Sequence, residues 1–142
     1  MLDFSLLSEK FNLDCSADKF IVGENLPAFL EFLKNTPEYS FDVLTSIVAN
    51  DLGDKIELIY QLYSTLTFNK LCISSYCVDS FAQSVVSVYK SAYFDECEIF
   101  DMFGVKFEGN SNLRRLYMPE SWVGHPMLKS YELADERLAW NE

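Results

Sequence analysis

The sequence predicts an α+β fold of two layers, a three- to four-stranded and mainly antiparallel sheet packed by helices, followed by an extended irregular C-terminal tail. Three observations lead there. Between Phe41 and Tyr76, apolar residues alternate with period two in three runs separated by short turn-forming stretches, the pattern of an antiparallel meander. On both sides of this block apolar residues recur at three-and-four spacing, as on helices with one buried face. After Gly109, Pro119, Gly124 and Pro126 argue against any further long helix.

Taken in order, Phe4, Leu7 and Phe11 share one side of a short helix ending near Asn12. Asp18 to Gly23 reads as a brief strand closed by glycine. Asn25 can then cap a helix that tolerates Pro27 in its first turn, buries Leu26, Phe29, Leu30, Leu33 and in part Phe32, and stops at Asn35-Thr36-Pro37. The run from Phe41 to Ala49 places Val43, Thr45, Ile47 and Ala49 on one face of a strand and Asp42 and Ser46 on the other. Turn chemistry at Asn50 to Asp54 reverses the chain into a strand with Ile56, Leu58, Tyr60 and Leu62 on one face. A second reversal at Ser64 to Thr67 leads to Leu71–Tyr76, and the strand before Asn25 is a possible fourth member. From a cap at Asp79 or Ser80, the spacing predicts one long helix to Gly104, with Phe81, Val85, Val88, Ala92, Ile99 and Phe103 as its stripe. The Ser84 to Ser87 stretch is a weak helix former that packing must hold. Val105 to Phe107 is then a short strand or link and Glu108 to Ser111 a turn. The chain so divides into an α+β domain over residues 1–109 and a docking tail over residues 110–142.

A chain of 142 residues suits one core. Its composition, 49% hydrophobic and 15% aromatic, leaves apolar surface for partners, and a formal charge of −11 points to proteins with basic patches and away from nucleic acid. No apolar run is long enough to span a membrane and no secretory leader is evident, so a soluble cytoplasmic chain is expected. The four cysteines form no Cys-x-x-Cys pair, which favours buried free thiols. His125 is the only histidine, which weakens zinc sites and Ser-His-Asp triads. No glycine-rich dinucleotide loop or cysteine cluster is present, so neither a cofactor nor a metal is expected in this chain.

The stretch from Glu96 to Pro126 carries the most information. Glu96 falls within the apolar stripe and faces the protein, while Asp95, Glu98 and Asp101 recur every third residue beside it. These acids crowd the C-terminal end of a helix, where the macrodipole disfavours anions. Arg114 and Arg115 are the nearest compensating groups, because guanidinium binds carboxylate bidentately and stays charged when partly desolvated. A tail folded back over its own helix follows. Leu116, Tyr117, Met118, Trp122, Met127, Tyr131, Leu138 and Trp140 would otherwise leave a large apolar area wet.

Glu96, Glu98, Asp101-Met-Phe-Gly104, Leu113-Arg-Arg115, Pro119, Trp122, Gly124-His-Pro126, Lys129 and Tyr131 together resemble the signature of one hydrophilic subunit family of respiratory complex I, the 30 kDa subunit of NADH:quinone oxidoreductase. The likeness covers about thirty-five residues. Cys97 stands where the family has arginine, Asn110-Ser111 where it has a first His-Pro, and Leu128 where it has arginine before Lys129. These departures point to a divergent branch, such as the related subunit of membrane-bound energy-converting [NiFe] hydrogenases or formate-linked relatives. The resemblance implies a non-catalytic assembly subunit in the peripheral arm of a membrane-bound complex, on the cytoplasmic face of the inner membrane. Its partners would be a hydrogenase-like large subunit and an iron-sulfur small subunit, which hold the iron-sulfur clusters and the flavin or nickel-iron site. Contact with the membrane would be indirect, through the complex. The residues expected to bind partners or anchor the tail are Glu96, Glu98, Asp101, Phe103, Gly104, Arg114, Arg115, Trp122, Gly124, His125, Pro126, Lys129 and Tyr131.

Two other functions stay open on residues alone. One is a free-standing hydrolase using Glu96, Glu98 or Asp101 as acid and base with Arg115 holding an anionic substrate. Against it, Glu96 and Glu98 point about 200° apart on a helix. The other is an adaptor outside any redox complex.

Overall fold

The computed structural model describes residues 5–11, 14–16, 19–23 and 25–132. In chain order the elements are α1 (Ser5–Phe11), β1 (Asp14–Ser16), β2 (Lys19–Ile21), α2 (Leu26–Asn35), β3 (Val43–Asp51), β4 (Ile56–Tyr63), β5 (Lys70–Tyr76), β6 (Phe81–Gln83), α3 (Ala92–Phe103) and β7 (Lys106–Glu108). Phe4, Asn12, Asp18 and the end of the tail with Leu138 and Trp140 lie outside the described residues.

The meander follows the alternation. β3, β4 and β5 pair antiparallel, and the connection through α2 brings β2 parallel to the far side of β5. The strand expected before Asn25 is β2. β1 adds a fifth strand, giving the order β1-β2-β5-β4-β3, and Asp-Cys-Ser lacks the β-branched or aromatic residues that would announce it. Ile56, Leu58, Tyr60 and Leu62 line the inner face of β4 and are buried with Leu71 and Ile73 of β5. Leu26, Phe29, Leu30 and Leu33 cover that face from α2, and Phe11 of α1 packs edge-on against Phe29 with ring centroids 4.9 Å apart. Ile99, Val105 and Phe107 close the same core.

Three expectations are corrected. Asn25 does stand at the N-cap of α2, but its backbone is left-handed (φ 59°) and its side chain makes no capping bond, since capping needs an extended backbone at that position. On β3 the register slips between Leu44 and Ser46, a bulge opposite Leu62 and Gln61. The buried residues are therefore Leu44 and Ile47, three apart, while Val43 and Thr45 face outward.

The third correction is the largest. The long helix from Asp79 does not exist, and α3 begins only at Ala92. Asp79 and Ser80 are both left-handed (φ 50° and 62°), which no right-handed helix start accepts. Phe81 to Gln83 instead forms β6, parallel to β7, and Phe81 is exposed. The Ser84 amide donates to Glu108, the Val85 amide to the Glu96 carboxylate, and only one turn closes from Val85 to Tyr89. Tertiary partners thus take the amides a helix would have used, in a stretch whose serine and valine content offers little resistance.

The Val85–Tyr89 turn is fastened to the sheet by the buried Tyr89, whose phenol donates to the Phe41 carbonyl at 2.6 Å. Tyr89→Phe leaves that carbonyl without its donor and is expected to lower unfolding stability by about 1 kcal/mol, read as a shifted urea midpoint at constant slope.

Candidate interaction site

α3 carries four acids in seven residues, and the fold gives each a different environment. Asp95 is half-buried and accepts the Ile47 amide of β3 at 2.9 Å, tying the helix to the sheet edge. Glu96 and Asp101 are fully buried, and Glu98 is exposed. The helix ends at Gly104 in a left-handed cap (φ 75°), with the Gly104 amide returned to Phe100. A Cβ on Gly104 would come within 2.6 Å of the His125 ring, so glycine is required there both for its backbone and for the tail that lies over it.

Asp101 is the anchor of that tail. One carboxylate oxygen accepts three successive amides, Leu116 at 3.1 Å, Tyr117 at 2.7 Å and Met118 at 3.0 Å. The other accepts Arg115 at 2.9 Å. Arg115 extends the clamp, donating at 3.0 Å to the Trp122 carbonyl and at 2.9 Å to that of Gly124. His125 Nδ1 lies 3.0 Å from the Asp101 carbonyl oxygen and the Met127 amide donates to the Met102 carbonyl, so the tail also satisfies backbone oxygens exposed at the helix end. Burial alone would raise the Asp101 carboxyl. The amides of Met118 and Tyr117, the Arg115 guanidinium and the Leu116 amide outweigh it and hold the group below the usual carboxylate range.

Glu96 is held without any cation. Its oxygens accept the Val85 amide and the Ser84 hydroxyl, each at 2.8 Å, and the Asn110 side-chain amide at 2.9 Å. Burial pushes this carboxyl above its ordinary value. The three neutral donors oppose that rise without cancelling it, and Asp95 adds to it.

The other residues singled out from the sequence sort by position. Phe103 is half-buried against the core. Trp122, Pro126 and Tyr131 are half-buried along the tail, and Gly124 is left-handed (φ 98°) against the Tyr131 ring. The Lys129 amide donates to Asp51 at 2.9 Å, pinning the tail to the β3–β4 turn. Arg114, expected beside the acids, is exposed and makes no ion pair among the described residues. Among the described residues no guanidinium pairs with Glu98 either. The sequence gives no notice of Ser84, Asn110 and Asp51, because a partner to an acid many residues away leaves no periodic trace. The polar turn at Asn110 to Asn112 is the only available signal. Cys97 is buried, with Sγ 3.8 Å from the Asn112 carbonyl oxygen.

Chemically, the arrangement fastens the tail to its own helix. Glu96 and Asp101 are each saturated by donors of this chain, so they do not form an acid–base pair across a cleft. Among the described residues no group of three or more histidine, cysteine, aspartate or glutamate side chains is placed to hold a metal ion. No helix among them is long and apolar enough to cross a membrane.

Comparison with known proteins yields a match over residues 21–137 to the model of the family described as respiratory-chain NADH dehydrogenase, 30 Kd subunit. The chain is 40% identical over 116 residues to the C subunit of the NADH-quinone oxidoreductase of Trichlorobacter lovleyi, a match spanning 78% of this chain and 70% of that one. It is 31% identical over 126 residues to the C/D subunit of the NADH-quinone oxidoreductase of Sulfurihydrogenibium sp., covering 86% of this chain and 21% of that protein. Among solved structures, a chain of the membrane-bound sulfane sulfur reductase, an archaeal respiratory membrane complex, superposes with a TM-score of 0.71 at 21% identity. The superposition spans 91% of this chain and 83% of that one, a likeness of fold.

The two buried carboxylates predict pH responses of opposite sign. Asp101, with its folded value depressed, contributes stability that is present above about pH 4 and lost as pH falls through the folded value. Asp101→Asn is expected to destabilise the chain by about 3 kcal/mol at pH 7 and to flatten the acid limb of a stability–pH curve. Glu96, with its folded value raised, contributes stability that is present below about pH 4 and lost as pH rises through the folded value. Glu96→Gln is expected to remove that decline, so that variant and wild type diverge upward in pH when urea midpoints are compared. Parallel curves would contradict it.

Proposed function

This chain belongs to the 30 kDa subunit family of respiratory-chain NADH dehydrogenase, and from that membership we propose that it is a non-catalytic assembly subunit of an NADH:quinone oxidoreductase, in the peripheral arm of the complex. The observation that carries the reading is the clamp on Asp101. Residues 110–132 form no helix or strand, yet three of their successive amides and Arg115 converge on one buried carboxylate, which fixes the path of an irregular strap. That strap presents Tyr117, Val123 and Met127 outward, each more than half exposed, beside the exposed cation of Arg114 and on a chain of formal charge −11. Exposed apolar side chains on a rigid support are what a protein interface requires.

In this proposal the neighbours are a hydrogenase-like large subunit and an iron-sulfur small subunit, which carry the clusters and, elsewhere in the assembly, the flavin. This chain binds no cofactor and reaches the cytoplasmic face of the membrane only through them. The relative named as a C/D subunit supports a larger companion. The part matching this chain is about a fifth of it, so in that protein the same unit is covalently continuous with a much larger one. The relatives at 31% and 40% identity are NADH-quinone oxidoreductase subunits, which favours that branch over the membrane-bound hydrogenases. The saturation of Glu96 and Asp101 by this chain's own donors speaks against a free-standing hydrolase.

The test is tagged purification from membranes of the native cell, with the co-purifying proteins and NADH:quinone reductase activity read together. The wild-type chain is expected in an iron-sulfur-containing assembly. Arg114→Glu, on an exposed residue, is expected to cut partner recovery about tenfold with the urea midpoint of the isolated chain unchanged, whereas Arg115→Ala lowers both. Wild-type recovery by both variants, or a chain always recovered alone, would refute the reading.

A further inference from the structure

Beyond the clamp, the sheet edge beside α3 offers a further surface. β3 is one of the two outer strands of the five-stranded sheet, and its edge meets α3 and the tail in a groove of about 660 Å³. Val48 and Ala49 form one wall, Ile99 and Met102 the floor, and Tyr117 and Met127 the far rim. Val48 is 44% exposed, Tyr117 68% and Met127 57%, so the lining is wet as well as apolar.

The edge is closed over only part of its length. The Ile47 amide is taken by Asp95 and the Leu44 carbonyl by the Ser91 hydroxyl, both from the N-terminal half of α3 or its cap. In an antiparallel edge, residues two apart turn their backbone groups the same way, so Ala49 presents its amide and carbonyl outward beside Ile47. An outer strand with such groups and an apolar groove alongside is a template for an added strand. The acids define the charge of what can enter. Asp95 and Glu98 line the same groove, and Glu98 is exposed with no cation of this chain paired to it among the described residues.

We infer that this groove seats an extended segment of a neighbouring subunit, lying along β3 at Ala49, with apolar side chains against Ile99 and Met102 and a lysine or arginine directed at Glu98. The inference rests on the proposed role as a subunit of a larger complex and adds where on the chain, and by what chemistry, a partner is held. Charge separates the possible occupants. A second copy brings another −11, and a membrane surface is itself anionic. The chain's own last ten residues set Asp135, Glu136 and Glu142 against a single Arg137. A basic segment of another protein is complementary on both counts.

The experiment uses the assembled complex, purified through a tag on this chain, with the photoreactive residue p-benzoylphenylalanine at Val48 and, in a second preparation, at Tyr117. Irradiation is expected to join both positions to one co-purified subunit, within a peptide carrying lysine or arginine. Adding Glu98→Lys is expected to lower the Val48 adduct about tenfold while the complex is still recovered. Adducts to a second copy of this chain, to residues 133–142, or to nothing in an intact complex overturn the inference and leave the subunit role standing. So does an adduct yield indifferent to Glu98→Lys. A chain recovered with no other subunit overturns both.

Discussion

The structure depends on burying one carboxylate at the wrong end of a helix. Asp101 lies in the last turns of α3, where unpaired carbonyls already concentrate negative charge. Left alone, a buried anion there would cost several kcal/mol. Three consecutive amides and a guanidinium of the tail supply the missing positive potential, and those groups can converge only if residues 115 to 118 curl around the carboxylate. The need of the acid therefore dictates the path of the strap. Arg115 passes the constraint on to Trp122 and Gly124, and Gly104 leaves the space that His125 fills. Helix, cap and strap form one unit, and the function proposed for the chain uses the outward side of it.

Glu96 shows the same logic with a different solution. It also reaches across elements, to the Ser84–Val85 turn and to Asn110, and so joins the two flanks of α3. Its donors are neutral, so burial prevails and its carboxyl is raised, whereas the charged and triply amidated Asp101 is lowered. Two acids five residues apart on one helix thus respond oppositely to pH. The difference lies in the successive tail amides and the guanidinium that converge on Asp101 and have no counterpart at Glu96.

Much of this was legible in the residues. Period-two alternation located β3 to β5, glycine located the end of α3, and the buried placement of Glu96 followed from its position in an apolar stripe. The pairing of an acid on α3 with Arg115 followed from the electrostatics of a helix end. What failed shares one cause. The stripe from Phe81 to Val88 has helical spacing, but its amides are claimed by β7 and by Glu96, partners distant in sequence. The bulge on β3 likewise shifts a face by one residue without altering composition. Arg114 and Arg115 are identical in sequence terms. Only the direction imposed by the curl around Asp101 makes one a clamp and leaves the other facing outward.

That contrast bears on the departures from the family's pattern. Cys97, which the sequence resemblance sets in the place of an arginine, is fully buried beneath the Asn112 carbonyl. Asn110, which the same resemblance sets in the place of a histidine, donates to Glu96. The two changes meet at one turn, where Asn110 orients its own side chain and also accepts the Asn112 amide. The buried Glu96 is held by neutral donors, and this turn supplies one of them. That turn fixes the point from which the tail departs.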